Sequence, residues 1–487
     1  MENEKRTDMS IMSDAKEDTA RHGQGEKSAP ETQPECGAGL TFSPSAEAEP
    51  YSSNTYEKGR TNSDPALDIG NLTDNSASPY LDEEEEDYPE GGKRAWLVVL
   101  GSWLALFSAL GIMNILATFQ TYVSKHQLAN YDASAIGWIF SLYTFACFFL
   151  GIYVGPIFDK YGPRWLVAAG TVGLVASLMC LSVCKEYYQF ILAFGVLSGA
   201  STSLLFTPSI AAIGHFFKAR RGVATGIAST AGSLGGVIFP LMLESLFAKV
   251  GWAWSIRILG FICLVLNVAA NFLIRSRLPA AQKASVHPDF HIFKNLPFAL
   301  TVLAVFLLEF ALFIPLTYIS SYALSKGFSE SFSFQVLTYL NVGSVFGRLL
   351  VGYWADYVGA FNANMISVSI SIVATLAIWL PAGHTKPGLI IYALLFGFSS
   401  GSNISLTPVA VGKLCRTQEY GRYYATCYTI VAIACLIGVP IAGRILVANG
   451  GDYWGLITCT GCIYVGCLCT FQAVKVISVG WNLRAIF

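Results

Sequence analysis

The sequence predicts an all-α polytopic membrane protein, with twelve transmembrane helices in two pseudo-symmetric six-helix halves. Three observations lead there. Of the 487 residues, 53% are hydrophobic and only 13% charged, a balance foreign to soluble domains. The apolar residues fall in runs of about 20, enough to cross a hydrocarbon core of roughly 30 Å. Punctuation also repeats at one spacing: Gly155-Pro-Ile-Phe-Asp159-Lys-Tyr-Gly162 returns 197 residues later as Gly352-Tyr-Trp-Ala-Asp356-Tyr-Val-Gly359. Thr207-Pro208 and Pro240 return 200 residues later as Thr407-Pro408 and Pro440. Six spans per half is an even number, so the repeat keeps its orientation across the membrane.

The spans are expected at 95–118, 134–154, 165–184, 188–213, 222–246, 253–274, 298–322, 332–354, 364–382, 388–411, 423–447 and 453–475. The last two boundaries are the least crisp, because Gly450 and Gly451 leave only a short turn. Cations collect on one side of the predicted loops: Lys160 and Arg164; Lys218, Arg220 and Arg221; Arg275, Arg277, Lys283 and Lys294; Lys413, Arg416 and Arg422; Lys475 and Arg484. The other side carries scattered lysines only. By the positive-inside rule both termini are cytoplasmic, and the plasma membrane is the expected location.

Before the first span, residues 1–92 hold 22 acidic and 7 basic side chains, whereas the remainder holds 10 and 24. The segment is rich in Ser, Glu, Pro, Asp and Gly and reads as a disordered acidic cytoplasmic tail. It has no signal-peptide core. Its run from Asp82 to Asp87 reads as a solvated charge block, with a regulatory or partner-binding segment as the competing reading. The sequon Asn71-Leu-Thr73 is expected to stay unmodified on the cytoplasmic side. The halves then occupy 93–274 and 298–475, joined by a cytoplasmic linker at 275–297 and followed by a cytoplasmic tail at 476–487. Twelve cysteines, mostly single within apolar runs, lack metal-ligand spacing, so no metal or cofactor is expected.

The fifth span opens on HFFKARRGVATGIASTAGSLGGVIFP, residues 215–240. Lys218, Arg220 and Arg221 mark the water boundary, since a central Lys or Arg costs roughly 2.5–3.5 kcal/mol in a membrane helix. Gly222 and Gly226, like Gly232 and Gly236, have the small-xxx-small spacing that lets a neighbouring helix approach; the competing reading is that small residues are simply common in spans. The pattern aromatic-Phe-Lys-x-Arg-Arg-Gly-x-Ala-x-Gly, with Glu90-Gly-Gly-x-x-Ala-Trp96 before the first span, resembles the motifs of the monocarboxylate-transporter-like branch of the major facilitator superfamily, especially its fungal, riboflavin-transporter-like members. The resemblance covers about 89–475 and implies that fold.

It also implies a secondary active transporter of a small organic anion or other metabolite, working by alternating access, with protons as the candidate coupling ion. Gly155 to Arg164 resembles the superfamily signature between spans two and three. We expect Gly155, Asp159, Gly162 and Arg164, with Asp356 in the second copy, to form a cytoplasmic latch, Asp159 pairing with cations or meeting a helix N-terminus; a plain turn is the alternative. Asp356 lacks neighbouring bases, so its latch is expected to be weaker.

Ionisable groups at membrane depth are functional candidates. In the family this chain resembles, an arginine of the eighth span engages the substrate anion, a role carried to Arg348, whose guanidinium offers a bidentate fork. A structural pair or a snorkelling side chain is the rival reading. Proton-coupled monocarboxylate carriers place an aspartate one turn earlier, where this chain has Ser344, which favours a vitamin or secondary metabolite over a simple monocarboxylate. Glu309, where burial disfavours a charged carboxylate, is the substitute proton carrier, against a buried structural pair or a polar cavity lining. Glu244 and Arg444 are outer-gate candidates, with snorkelling as the alternative. Asn114, Tyr143, Tyr318, Asn341 and Asn403 are candidate substrate-binding groups, and Pro208, Pro240, Pro315, Pro408 and Pro440 can break their helices locally, which suits rocking halves as readily as static kinks.

No catalytic set, nucleotide loop or nucleic-acid patch is evident. The expectation is a monomeric non-enzyme whose partners are a small-molecule substrate, protons and the lipid bilayer. A metabolite sensor signalling through its acidic tail is the alternative.

Overall fold

The computed structural model describes residues 88–277, 290–482 and 486. The acidic run, the sequon, most of the expected tail, 278–289 of the linker, and residues 483–485 and 487 lie outside the described residues. Among the described residues all regular structure is helical. We number the membrane spans α1–α12. α1 is Gly92–Asn114 and runs on, after Ile115, as Leu116–Lys125; α2 is Ala133–Phe149 and runs on as Gly151–Tyr161. α3 is Pro163–Leu181 and α4 Tyr187–Gly214, the latter with a π turn at Ile191–Ser198.

Arg221–Leu273 is helical throughout except at Gly251, where φ is 70° and ψ 178°. A positive φ combined with an extended ψ is a conformation that glycine adopts without penalty, and it divides this stretch into α5 at 221–250 and α6 at 252–273. The second half follows as α7 (Leu296–Ser325), α8 (Glu330–Val358), α9 (Ala360–Ala382), α10 (Lys386–Gly412), α11 (Tyr420–Ala448) and α12 (Trp454–Val479). Twelve spans result among the described residues once the Gly251 break is counted.

Most helices outrun their apolar cores by several residues, because an α-helix continues into the polar boundary wherever its ends find partners. Asn295, Ser329 and Thr385 accept from the amides of Phe298, Phe332 and Gly388 at the starts of α7, α8 and α10, the usual N-cap arrangement. Proline stands in the first turn of α3, α7 and α10, where no amide is needed. Pro208, Pro240, Pro315, Pro408 and Pro440 each lie inside a continuous helix, so none of them ends its helix. A proline inside a membrane helix removes one amide donor and need not end the helix.

The repeated residues fall at matching places: Asp159 and Asp356 at the ends of α2 and α8, Pro208 and Pro408 in α4 and α10, Pro240 and Pro440 in α5 and α11. The halves meet along two seams, α5 against α8 and α2 against α11. Glycine makes the first seam close. A Cβ on Gly352 of α8 would stand 2.7 Å from the carbonyl oxygen of Gly222 on α5, and Gly226 lies against the backbone of Arg348.

Candidate functional site

Along α8, Asn341, Ser344 and Arg348 follow at intervals of three and four, on one helical face. Opposite them on α5 stand Ser229, Gly232, Ser233 and Gly236. Arg348 Nη1 donates to the carbonyl of Ser229 across the seam. Ser233 Oγ donates to Ser344 Oγ at 2.9 Å. A Cβ on Gly232 would sit 2.9 Å from Arg348 Nη1, and one on Gly236 would sit 2.9 Å from Asn341 Oδ1 and 3.0 Å from Asn114 Cβ. Asn114 Nδ2 completes the group by donating to the Gly232 carbonyl at 2.8 Å. The glycine face of α5 thus makes room for polar groups from both halves.

Arg348 is 4% exposed and Glu309, on α7, 2% exposed. Each keeps a buried polar atom without a partner, Nε of Arg348 and Oε1 of Glu309. The two act on each other electrostatically. A buried guanidinium that leans on one carbonyl is costly to maintain, and the arrangement is chemically able to take an anion.

The other predicted residues stand apart. Tyr143 is fully buried in the first half, its hydroxyl 3.1 Å from Thr202 Oγ1 and its ring stacked on Phe194 at 4.9 Å. Tyr318 donates to the Val439 carbonyl at 3.1 Å within the second half. Asn403 is buried on α10, with both amide atoms unpartnered. Glu244 and Arg444 are exposed and form no ion pair with each other; Arg444 borders an open cleft of ≈ 540 Å³ with Pro440, Ile441 and Ile445. Among the described residues, no three His, Cys, Asp or Glu side chains gather as a metal site would require.

At the basic end, Asp159 Oδ1 accepts from the Gly421 amide at 3.0 Å and Oδ2 from the Arg422 amide at 2.8 Å. Asp356 does the same to α5, Oδ1 from Gly222 at 2.7 Å and Oδ2 from Val223 at 2.9 Å. Each carboxylate of one half therefore binds the helix N-terminus of the other, where free amides and the macrodipole favour negative charge. The second contact needs no neighbouring base, since its partners are the amides of Gly222 and Val223. Gly155 lies against α11, where a Cβ would meet that of Ala425 at 2.5 Å, and Gly162, with φ 77°, turns the chain into α3. Arg164 is exposed and takes no part in the carboxylate contact.

Two features escaped the sequence reading. Arg221 does not mark the water boundary with Lys218 and Arg220: it is buried, donates to the carbonyls of Phe217 and Gly214 at 3.0 and 2.9 Å, and stacks on Tyr420 of the other half at 4.8 Å. Phe148 and Phe206 pack against Tyr428 at 5.2 and 5.6 Å, with Tyr424 beside it at 4.9 Å. That aromatic seal joins α2, α4 and α11. Its sequence signal was the spacing of Tyr420, Tyr424 and Tyr428, one helical turn apart.

Comparison with known proteins agrees with this architecture. The family model of the Major Facilitator Superfamily matches residues 98–439, from α1 into α11. The chain belongs to the major facilitator superfamily. Among similar facilitators, the aspyridones efflux protein apdF of Emericella nidulans is 38% identical over 370 residues, which cover 76% of this chain and 75% of that protein. The riboflavin transporter MCH5 of Saccharomyces cerevisiae is 33% identical over 412 residues, covering 80% and 79%. In fold, this facilitator is similar to the crystal structure of the human organic anion transporter MFSD10, with a TM-score of 0.63 at 16% identity, over 78% of this chain and 100% of that one. The facilitator is a multi-pass membrane transporter of small molecules.

Proposed function

We propose that this facilitator is a secondary active transporter of a small organic anion, working by alternating access, with a secondary metabolite or vitamin favoured over a simple monocarboxylate. The observation that carries the reading is Arg348: a buried guanidinium on the seam between halves, bonded to a carbonyl and within the field of Glu309, with Nε unpartnered. Opening the seam releases its bond to Ser229 and turns a bidentate donor toward an anion. Asn341 and Asn114, grouped with it around α5, are the neutral groups that orient the rest of the substrate. Glu309 is the proton carrier, since protonation removes the charge that otherwise competes with substrate for Arg348.

Support for a larger substrate comes from Ser344, which is bonded to Ser233 where monocarboxylate carriers have a carboxylate, and from the efflux and vitamin carriers among the relatives. Asp159 and Asp356 are latches that hold the basic face closed. By the charge of its loops that face is cytoplasmic, which gives an outward-facing transporter with both termini inside, acting as a monomer in the plasma membrane.

The test is ligand-induced stabilisation of the purified protein across a library of anionic and neutral metabolites. A ligand at 100 times its Kd adds about 2.7 kcal/mol, so a binding anion should raise Tm by several degrees in wild type and leave Arg348→Ala unmoved. An anion that stabilises both proteins equally removes Arg348 from the site.

A further inference from the structure

The aromatic seal stands at the depth of Arg348. Tyr428 is eight residues past the first residue of α11, and Arg348 is ten before the last residue of α8. At 1.5 Å per residue, both lie roughly 12–15 Å in from the basic face. Tyr428 acts electrostatically on Arg348, and Glu309 on Tyr428, so the ring shares one neighbourhood with the two buried ionisable groups.

Around Tyr428 the two halves face each other ring to ring. Phe148 of α2 stands 5.2 Å from it with the planes at 37°, Phe206 of α4 stands 5.6 Å away at 71°, and Tyr424 of α11 stands 4.9 Å away at 54°. None of the three lies parallel to Tyr428, so none occupies the offset-stacked position over its face. All four rings are buried, two from each half. A seal against water asks only for apolar bulk, which the leucines and isoleucines of these spans supply. Rings gathered from three helices at the level of a buried guanidinium offer something more specific, since parting the halves uncovers facing π-surfaces. A flat conjugated ring is about 3.5 Å thick, the ordinary contact distance between carbons, and enters a gap too narrow for a puckered saturated ring.

We propose that the transported anion carries a flat aromatic ring beside its acidic group, and that this ring stacks on Tyr428 between Phe148 and Phe206 while Arg348 holds the acid. The proposal rests on the reading of Arg348 as the anion site and adds the class of substrate which that site takes. The rings determine specificity: they set aromatic acids apart from aliphatic acids of equal charge and similar size. Phe148 and Phe206 belong to one half and Tyr428 to the other, so a bound ring touches both halves, as alternating access requires of a substrate.

Calorimetric titration of the purified full-length protein with matched acids tests this. Naphthalene, quinoline and anthracene carboxylates are each compared with the fully saturated acid of the same skeleton. The saturated acid has the larger apolar surface, so burial alone would favour it. Stacking adds about two- to tenfold in affinity beyond burial, and the tightest aromatic acid should bind at least about threefold better than its saturated counterpart. Its near-ultraviolet absorption should weaken and shift on binding, as a stacked chromophore's does. Tyr428→Leu should abolish both the preference and the spectral change, whereas Tyr428→Phe, which keeps the ring, should retain both. Saturated acids that bind wild type as tightly as aromatic ones overturn the proposal; so does a panel in which no aromatic acid binds at millimolar concentration. A preference that survives in folded Tyr428→Leu removes Tyr428 from the site. Arg348→Ala distinguishes the two readings. Equal binding of both acids to wild type, lost in Arg348→Ala, would leave the anion site standing without the ring site. An aromatic preference of the same strength in both proteins would keep the ring site and remove the anion site.

Discussion

The two carboxylate contacts at the basic face look alike and are built differently. Asp159 sits 8% exposed against the start of α11 and is the carboxylate that holds it. Asp356 is half-buried against the start of α5, whose approach is also held by Glu90 through three further amides. The repeat preserved the aspartate, the glycine-lined seam and the receiving helix end. The first half added a second carboxylate from the segment before α1. One helix end therefore depends on its partner half and the other is largely organised by its own, which makes the α2–α11 seam the more exacting of the two.

The largest effect should come from Asp159→Ala. It leaves the Gly421 and Arg422 amides without their acceptor in a buried place, at about 1–3 kcal/mol per orphaned group, and the expected loss is about 2–3 kcal/mol in thermal unfolding. Asp356→Ala should cost about 1 kcal/mol, since water reaches that end and Glu90 still holds the loop. Equal losses, or a larger one at Asp356, would break the asymmetry.

The α5 side has a second distinguishing mark. His215, just past α4, is packed against Phe158 with Nδ1 2.9 Å from Ser276 Oγ, and burial together with Arg221 and Arg277 pushes its pKa down to about 3. At the repeat offset of 200 its counterpart is Cys415. A histidine held neutral in the fold but free to protonate when unfolded, near 6.5, costs nothing above that pH and destabilises progressively as pH falls from about 6.5 toward 3. The loss should reach about 2 kcal/mol at pH 5, and His215→Gln should flatten the Tm–pH profile over this window. A wild-type profile that is flat between pH 7 and 5 would show that His215 titrates normally. The smallest effect belongs to the exposed cations: Arg416→Gln should change stability by less than about 0.5 kcal/mol in thermal unfolding.

Much of this was legible in the sequence, for identifiable reasons. Spans and halves follow from apolar run length and from repeated Gly, Asp and Pro, which survive as one-dimensional patterns. Asn114, Asn341 and Arg348, which lie together around α5, stood out in the sequence because polar groups are rare at membrane depth. What stayed hidden depends on backbone groups, which carry no sequence signature: which helix ends supply the amides that receive Asp159 and Asp356, the carbonyl of Ser229 that holds Arg348, and the carbonyls that allow Arg221 to be buried. The continuation of α5 into α6 across Gly251 was equally illegible, because a glycine between two apolar runs fits a loop as well as a single-residue break.

The central claim is that Arg348 binds a transported anion, and flux tests it most directly. Purified protein in sealed vesicles, offered the anion that stabilises it at two imposed pH gradients, should accumulate that anion with the gradient. Arg348→Ala should lose at least about 100-fold in rate, the equivalent of about 2.7 kcal/mol of lost transition-state binding. Undiminished flux in Arg348→Ala would contradict the anion site. No flux under either gradient, from folded protein that still binds the compound, would contradict transport of that anion and favour a metabolite sensor.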